Sequence, residues 1–202
     1  MSDQAAVAAA RARLLEAGEV LAGRSEDELL ACIGRVLEGW REPASTWRRS
    51  LEAQLPAATG FSPEVVREGL ALGLAQWPEA ALRRLFEREI SSQTAAGGTR
   101  LVPFELTSLL LAGAIPMPSI LACLLPLLLR SPVLVKTASR DRVTAGLVAE
   151  SLVRVDAELG RCIEVTGFAG DDDEAMTRFL DADCIVATGS DDQRAPDAAC
   201  GP

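Results

Sequence analysis

The chain has 202 residues, 49% hydrophobic and 24% charged, with a formal net charge of −9 and a sequence pI near 4.7. This is a globular composition with enough length for a substantial core, and it excludes a general nucleic-acid binder, whose affinity comes from Lys and Arg against phosphates. His and Tyr are absent, which removes Ser-His-Asp triads, Cys-His pairs and His-bearing zinc sites.

The first half reads as helices. Ala5 to Leu21 is rich in strong helix formers. Ser25 before Glu26, Asp27 and Glu28 has the form of an N-cap with an acidic first turn. That helix is expected to reach about Trp40, with Leu29, Leu30, Ile33, Val36 and Leu37 on one stripe. Ser62-Pro63 opens another through Leu72, and Pro78 a further one through Glu89. Trp40, Trp47 and Trp77 are expected to pack between these helices. Ser91 to Gly98 is a loop or hinge by composition.

The second half changes character. Leu109 to Ala112 reads as a buried strand, Pro116 to Leu129 as a helix, and Val133 to Val135 as a short strand. Asp141 to Leu159 reads as a helix with Val143, Leu147, Val148, Leu152 and Val153 on its buried face. Cys162 to Val165 is the next strand, Asp171 to Leu180 a helix, and Cys184 to Ala187 the last strand. Strands alternating with helices at this spacing predict an α/β fold: an N-terminal helical region, 1–98, then an open parallel sheet, 99–190. The stretch 191–202 carries no pattern. The run from Leu106 to Leu129 holds no Lys or Arg and no Asp or Glu and is long enough to suggest a membrane span. Pro116, Pro118, Pro126 and Gly113 interrupt it, so a strand, a turn and a buried helix account for it better, and no membrane partner is expected.

Ligands of open parallel sheets lie beyond the carboxyl ends of the strands. The Gly-rich dinucleotide fingerprint is absent. Other segments stand at the predicted strand ends: Ala112-Gly113-Ala114-Ile115-Pro116, Val135-Lys136-Thr137-Ala138-Ser139, Val165-Thr166-Gly167-Phe168 and Val186-Ala187-Thr188-Gly189-Ser190. Lys136 is the single lysine among 20 Lys and Arg, which reads either as a place where a compact ammonium is wanted in an otherwise arginine-using sequence or as one lysine left on a solvated surface.

These segments, in this order, resemble the successive cofactor-binding segments of the aldehyde dehydrogenase superfamily. Val-Lys-Thr with Ala-Gly-x-x-Pro is most similar to the fatty acyl-CoA reductases of bacterial bioluminescence and their relatives. The resemblance covers about Leu109 to Ser190. It implies an α/β nucleotide-binding domain whose parent enzyme reduces a fatty acyl-CoA to the aldehyde with NADP. It implies a cofactor site of Gly113, Lys136, Thr137, Ser139, Gly167, Thr188, Gly189 and Ser190, with Lys136 on the adenine ribose. Ser139 falls where many NAD-preferring relatives carry Glu, and losing that carboxylate removes repulsion toward a 2′-phosphate. Ala114 takes the place of the Asn that polarises the reacting carbonyl, a donor whose loss typically costs about a hundred-fold in rate.

The family also attacks its thioester with a Cys thiolate in a second domain, beyond the Thr-Gly-Ser segment. The five cysteines here are Cys32, Cys123, Cys162, Cys184 and Cys200, odd in number and never at CxxC spacing. They read as reduced thiols of a cytoplasmic protein, and Met1 to Arg11 lacks the apolar segment of a signal peptide. Cys123 and Cys184 read as small core residues. The resemblance therefore predicts a chain that stops before the catalytic domain and is inactive alone. The expected partners are an acyl-CoA substrate, which the resemblance implies, and another copy of the chain in a homo-oligomer; an apolar interface left uncovered by the missing domain predicts poor solubility. The alternative is a non-catalytic nucleotide-binding or interaction module.

Overall fold

The structure is a computed structural model and describes residues 2–92 and 100–188. Gly189, Ser190, the 191–202 stretch with Cys200, and nearly all of the predicted hinge before Gly98 lie outside the described residues.

Five helices come first: α1 (Asp3–Ala22), α2 (Glu26–Arg41), α3 (Thr46–Thr59), α4 (Pro63–Ala75) and α5 (Glu79–Phe86), the last widening into a π turn over Glu87–Ser91. Four begin after a serine whose hydroxyl accepts a backbone N–H, and the fifth, α5, begins just after a proline. At α2 the box is reciprocal: Glu28 N donates to Ser25 Oγ (3.3 Å) and Ser25 N to Glu28 Oε2 (2.7 Å), satisfying two N–H groups that the helix cannot use. The predicted stripe of α2 is buried, together with Cys32 and Trp40. Trp40 is fully buried and donates through Nε1 to Ser151 Oγ at 3.0 Å, while Trp47 and Trp77 pack against the same core half-covered. The α3 helix has no counterpart in the sequence reading.

The α/β part follows as β1 (Thr107–Leu110), α6 (Pro116–Leu128), β2 (Val133–Lys136), α7 (Thr144–Val155), a 3-10 turn (Leu159–Cys162), β3 (Ile163–Thr166), α8 (Asp173–Phe179) and β4 (Cys184–Ala187). All pairings are parallel, in the order β3-β2-β1-β4, which is the open α/β sheet expected. Leu109 sits opposite both Val135 and Val186. The strand β1 lies two residues earlier than Leu109–Ala112. Its Thr107 and Ser108 are buried, and their hydroxyls are satisfied by Ser131 Oγ and by the carbonyl of Phe179, so polar residues occupy the sheet centre without an unpaired group.

Alternation along the strands separates two faces. Val133 and Val135 join the main core with Leu109 and the α6 and α7 side chains. Leu134 turns to a second cluster with Phe179 and Ala175 of α8 and Val7, Ala10 and Leu14 of α1. The N-terminal helix thus roofs one face of the sheet beside α8, touching β2 and β3. Three expectations need correction. Helix α7 is shorter than Asp141–Leu159, because Asp156 leaves helical geometry (φ −153°, ψ 105°), and Val153 is 48% exposed rather than buried. Cys184 is only partly covered, because β4 is an edge strand with Ile185 50% exposed. Among the described residues no helix is long and apolar enough to cross a membrane; the uncharged run is divided between β1, a turn and α6.

Candidate functional site

Four parallel strands place their carboxyl ends on one edge, and the chain reverses its direction of travel between β1 and β4. At that switch point two connections leave on opposite sides, opening the crevice where such sheets hold ligands. Thr188 laces the crevice. Its N–H donates to Leu110 O (3.0 Å), its Oγ1 accepts from Ala112 N (3.2 Å), and the same hydroxyl lies 3.3 Å from Leu110 O. One residue further, Gly113 has φ +92°, and a Cβ built there would have no heavy atom within 4 Å. A glycine is required by that backbone angle, and the result is bare backbone facing open space just before α6.

A second group forms at the ends of β2 and β3. Leu111 N bonds Lys136 O (3.0 Å) and Thr137 N bonds Thr166 O (3.1 Å), extending the ladder past both strand ends. Gly167 lies against Thr137, since a Cβ at 167 would stand 3.4 Å from Thr137 Oγ1. Lys136 is half-buried and places Nζ 4.8 Å from the centre of the Phe168 ring, a cation–π contact. Phe168 is in turn held edge-on by Phe179, with centroids 5.8 Å apart. Burial, and after it the positive charge of Arg142, holds the Lys136 ammonium below the ordinary lysine range. No carboxylate pairs with Lys136 among the described residues.

The predicted residues therefore gather on one edge in two sets, Gly113 with Thr188 and Lys136 with Thr137 and Gly167. Ser139 lies on the exposed loop after β2. Sequence reasoning did not assign a role to Phe168, although an aromatic directly after Thr166-Gly167 at a strand end was the available signal. Nor did it single out Asp141, which is 4% exposed and caps α7 by accepting from Val143 N (3.1 Å) and Thr144 N (2.9 Å).

Chemically, this edge offers an uncompensated ammonium, hydroxyls and open backbone, a donor set that fits the ribose and phosphates of a nucleotide. It offers no activated thiol. Burial pushes the Cys123 thiol up to about 12 and the Cys162 thiol up to about 11, and raises Cys32 as well; such thiols are inert. No group of side chains suited to a metal ion occurs among the described residues.

Comparison with known proteins gives two findings. Residues 21–196 match the family described as "Acyl-CoA reductase (LuxC)". The chain is also 25% identical over 166 residues to the long-chain acyl-protein thioester reductase 2 of Photobacterium leiognathi, covering 76% of this chain and 35% of that protein. It thus spans about a third of the length of that relative.

Proposed function

The chain belongs to the acyl-CoA reductase (LuxC) family, and from that premise we propose that it is the cofactor-binding part of a reductase that converts a fatty acyl thioester to its aldehyde with NADPH. The observation that carries this reading is the unpaired Lys136 ammonium at the end of β2, set beside Thr137, Gly167 and the aromatic Phe168. In this reading Lys136 donates to the adenine ribose hydroxyls, and Thr137 and Ser139 border the same sugar. Gly113 lets the dinucleotide approach the backbone at the switch point. Thr188 holds the ends of β1 and β4 together there, and Gly189 and Ser190, which lie outside the described residues, are proposed to serve the pyrophosphate or nicotinamide side. When bound, the nicotinamide supplies the hydride. Ser139, a neutral side chain where a carboxylate would repel a 2′-phosphate, favours NADP over NAD.

Thioester attack needs a thiolate, and the buried, high-pKa Cys32, Cys123 and Cys162 do not supply one. We assign that step to a residue outside those described. Those inert thiols, with Ala114 at the place of the oxyanion-binding Asn, also favour a second reading: a nucleotide-binding module with no catalytic role. An NADPH fluorescence titration of the chain and of Lys136→Ala tests the site. Loss of a charge-assisted contact predicts binding weakened about tenfold or more; an unchanged affinity would remove Lys136 from the site.

A further inference from the structure

The loop from the end of β2 into α7 runs Lys136-Thr137-Ala138-Ser139-Arg140-Asp141-Arg142-Val143. It carries three cations and one carboxylate. The carboxylate is withdrawn, because Asp141 is buried and spends Oδ1 on the Val143 and Thr144 N–H groups. It fixes the first turn of α7 and offers nothing outward. The guanidinium groups have the opposite setting. Arg140 and Arg142 are exposed, and neither has a hydrogen bond or ion pair among the described residues.

Many of the other arginines are committed: Arg11, Arg13, Arg24, Arg48 and Arg83 each hold a carboxylate. In a chain of net charge −9, three uncompensated cations on one loop is an unusual concentration of positive charge. Arg142 lies near enough to Lys136 for its charge to disfavour the ammonium, so the cluster is self-repelling until an anion joins it. The next loop along the edge is unsuited to that anion, since Asp171 to Glu174 make the start of α8 acidic.

Position supplies the rest. In doubly wound sheets the adenine ribose lies over the end of the second strand; a carboxylate there bonds the 2′-hydroxyl, and an arginine there receives a phosphate on that oxygen. Here the carboxylate is turned inward and the arginines outward. We infer that Arg140 and Arg142 form a guanidinium clamp for a phosphomonoester on the ribose of an adenine nucleotide, with the Ser139 hydroxyl beside them. Guanidinium forks match phosphate oxygens two at a time. The inference rests on the nucleotide-binding reading above and adds to it the residues that choose the nucleotide. NADP and coenzyme A both carry such a group, on the 2′ and 3′ oxygens respectively, and the neighbouring Lys136 at the ribose edge favours the 2′ position.

The test is calorimetric titration of the full chain with AMP, adenosine 2′,5′-bisphosphate and adenosine 3′,5′-bisphosphate. The same titrations are made on Arg140→Gln/Arg142→Gln and Arg140→Lys/Arg142→Lys. The 2′,5′-bisphosphate is expected to bind at least tenfold more tightly than AMP. The Gln pair should erase that advantage and leave AMP binding unchanged, and the Lys pair should keep part of it. Both variants should melt with the wild type, because neither guanidinium is bonded in the fold. A preference for the 3′,5′-bisphosphate, lost in the Gln pair, would keep the clamp and give it to coenzyme A. Bisphosphates bound no better than AMP would overturn the clamp while the nucleotide site stands. Failure of all three ligands to bind would overturn the nucleotide reading and the clamp together.

Discussion

Replacing Gly113 by Ala separates the backbone's demand from the ligand's. The residue has φ +92°, and the added methyl would meet no protein atom within 4 Å. No packing clash therefore enters, and the cost is conformational. An L-residue held at such an angle costs roughly 1–3 kcal/mol. Restricting the unfolded chain gives back about 0.4–1 kcal/mol. A net loss of about 1–2 kcal/mol follows, which for a chain of this size lowers Tm by roughly 2–8 °C. Circular dichroism melts of wild type and Gly113→Ala at equal concentration measure it. NADPH titration of the two proteins then asks a second question, because the methyl occupies the open space where the dinucleotide is proposed to approach. Affinity should fall by about tenfold or more at a temperature where both proteins are folded, a contact effect of at least about 1.4 kcal/mol. An unchanged Tm would refute the positive-φ turn. A lowered Tm with intact NADPH affinity would refute the close approach.

Thr188→Val removes the hydroxyl shared by Ala112 N and Leu110 O; with water able to reach this half-buried edge, a loss of about 1 kcal/mol is expected, read as a lower urea midpoint at unchanged m. Gly160→Ala places a Cβ 2.5 Å from Val153 Cγ2 and 2.7 Å from Val153 Cα; backbone cannot yield as a side chain does, so overpacking of about 1–3 kcal/mol should appear in the same assay, and an equal midpoint would mean that the 3-10 turn moves freely against α7. Acid should act through Asp156. Burial raises its pKa, but the Leu159 and Glu158 N–H groups and Arg24 outweigh burial and hold it below the ordinary 3.8. Its contribution is present above that ordinary value and is lost as pH falls through the lowered folded one. Asp156→Asn should therefore flatten stability against pH in that acid window, and an unaltered acid limb would exclude the residue.

Local chemistry made much of this fold legible. Strong helix formers marked α1, a serine cap with a leucine stripe marked α2, Ser62-Pro63 marked α4, and short apolar runs ending at Val135, Val165 and Ala187 marked the later strands. What escaped depends on partners far along the chain. Helix α3 lacks a broad apolar stripe; it buries Leu51 and Leu55 with Arg48, whose guanidinium is satisfied by Glu52 and by the carbonyls of Trp40 and Arg67. No periodicity reports a buried cation that later finds acceptors. Likewise β1 begins two residues before the apolar run, because only the fold supplies Ser131 and Phe179 to pair the hydroxyls of Thr107 and Ser108. The site was legible as strand ends. The inward turn of Asp141 and the ring beneath Lys136 were not, because a sequence names a carboxylate or an aromatic without saying which way it faces.

The roof that α1 lays over the sheet has a consequence for synthesis. Val7, Ala10 and Leu14 leave the ribosome long before their partners Ala175 and Phe179. Arg11 closes the same contact on the carbonyl of Asp181, 170 residues away. At roughly 5–20 residues per second, translation separates the two by about ten to thirty seconds. Contacts of such long range also slow folding once the chain is complete. During that interval the nascent helix presents an apolar face with no sheet to lie on, and a chaperone or a neighbouring nascent chain can reach it before α8 does.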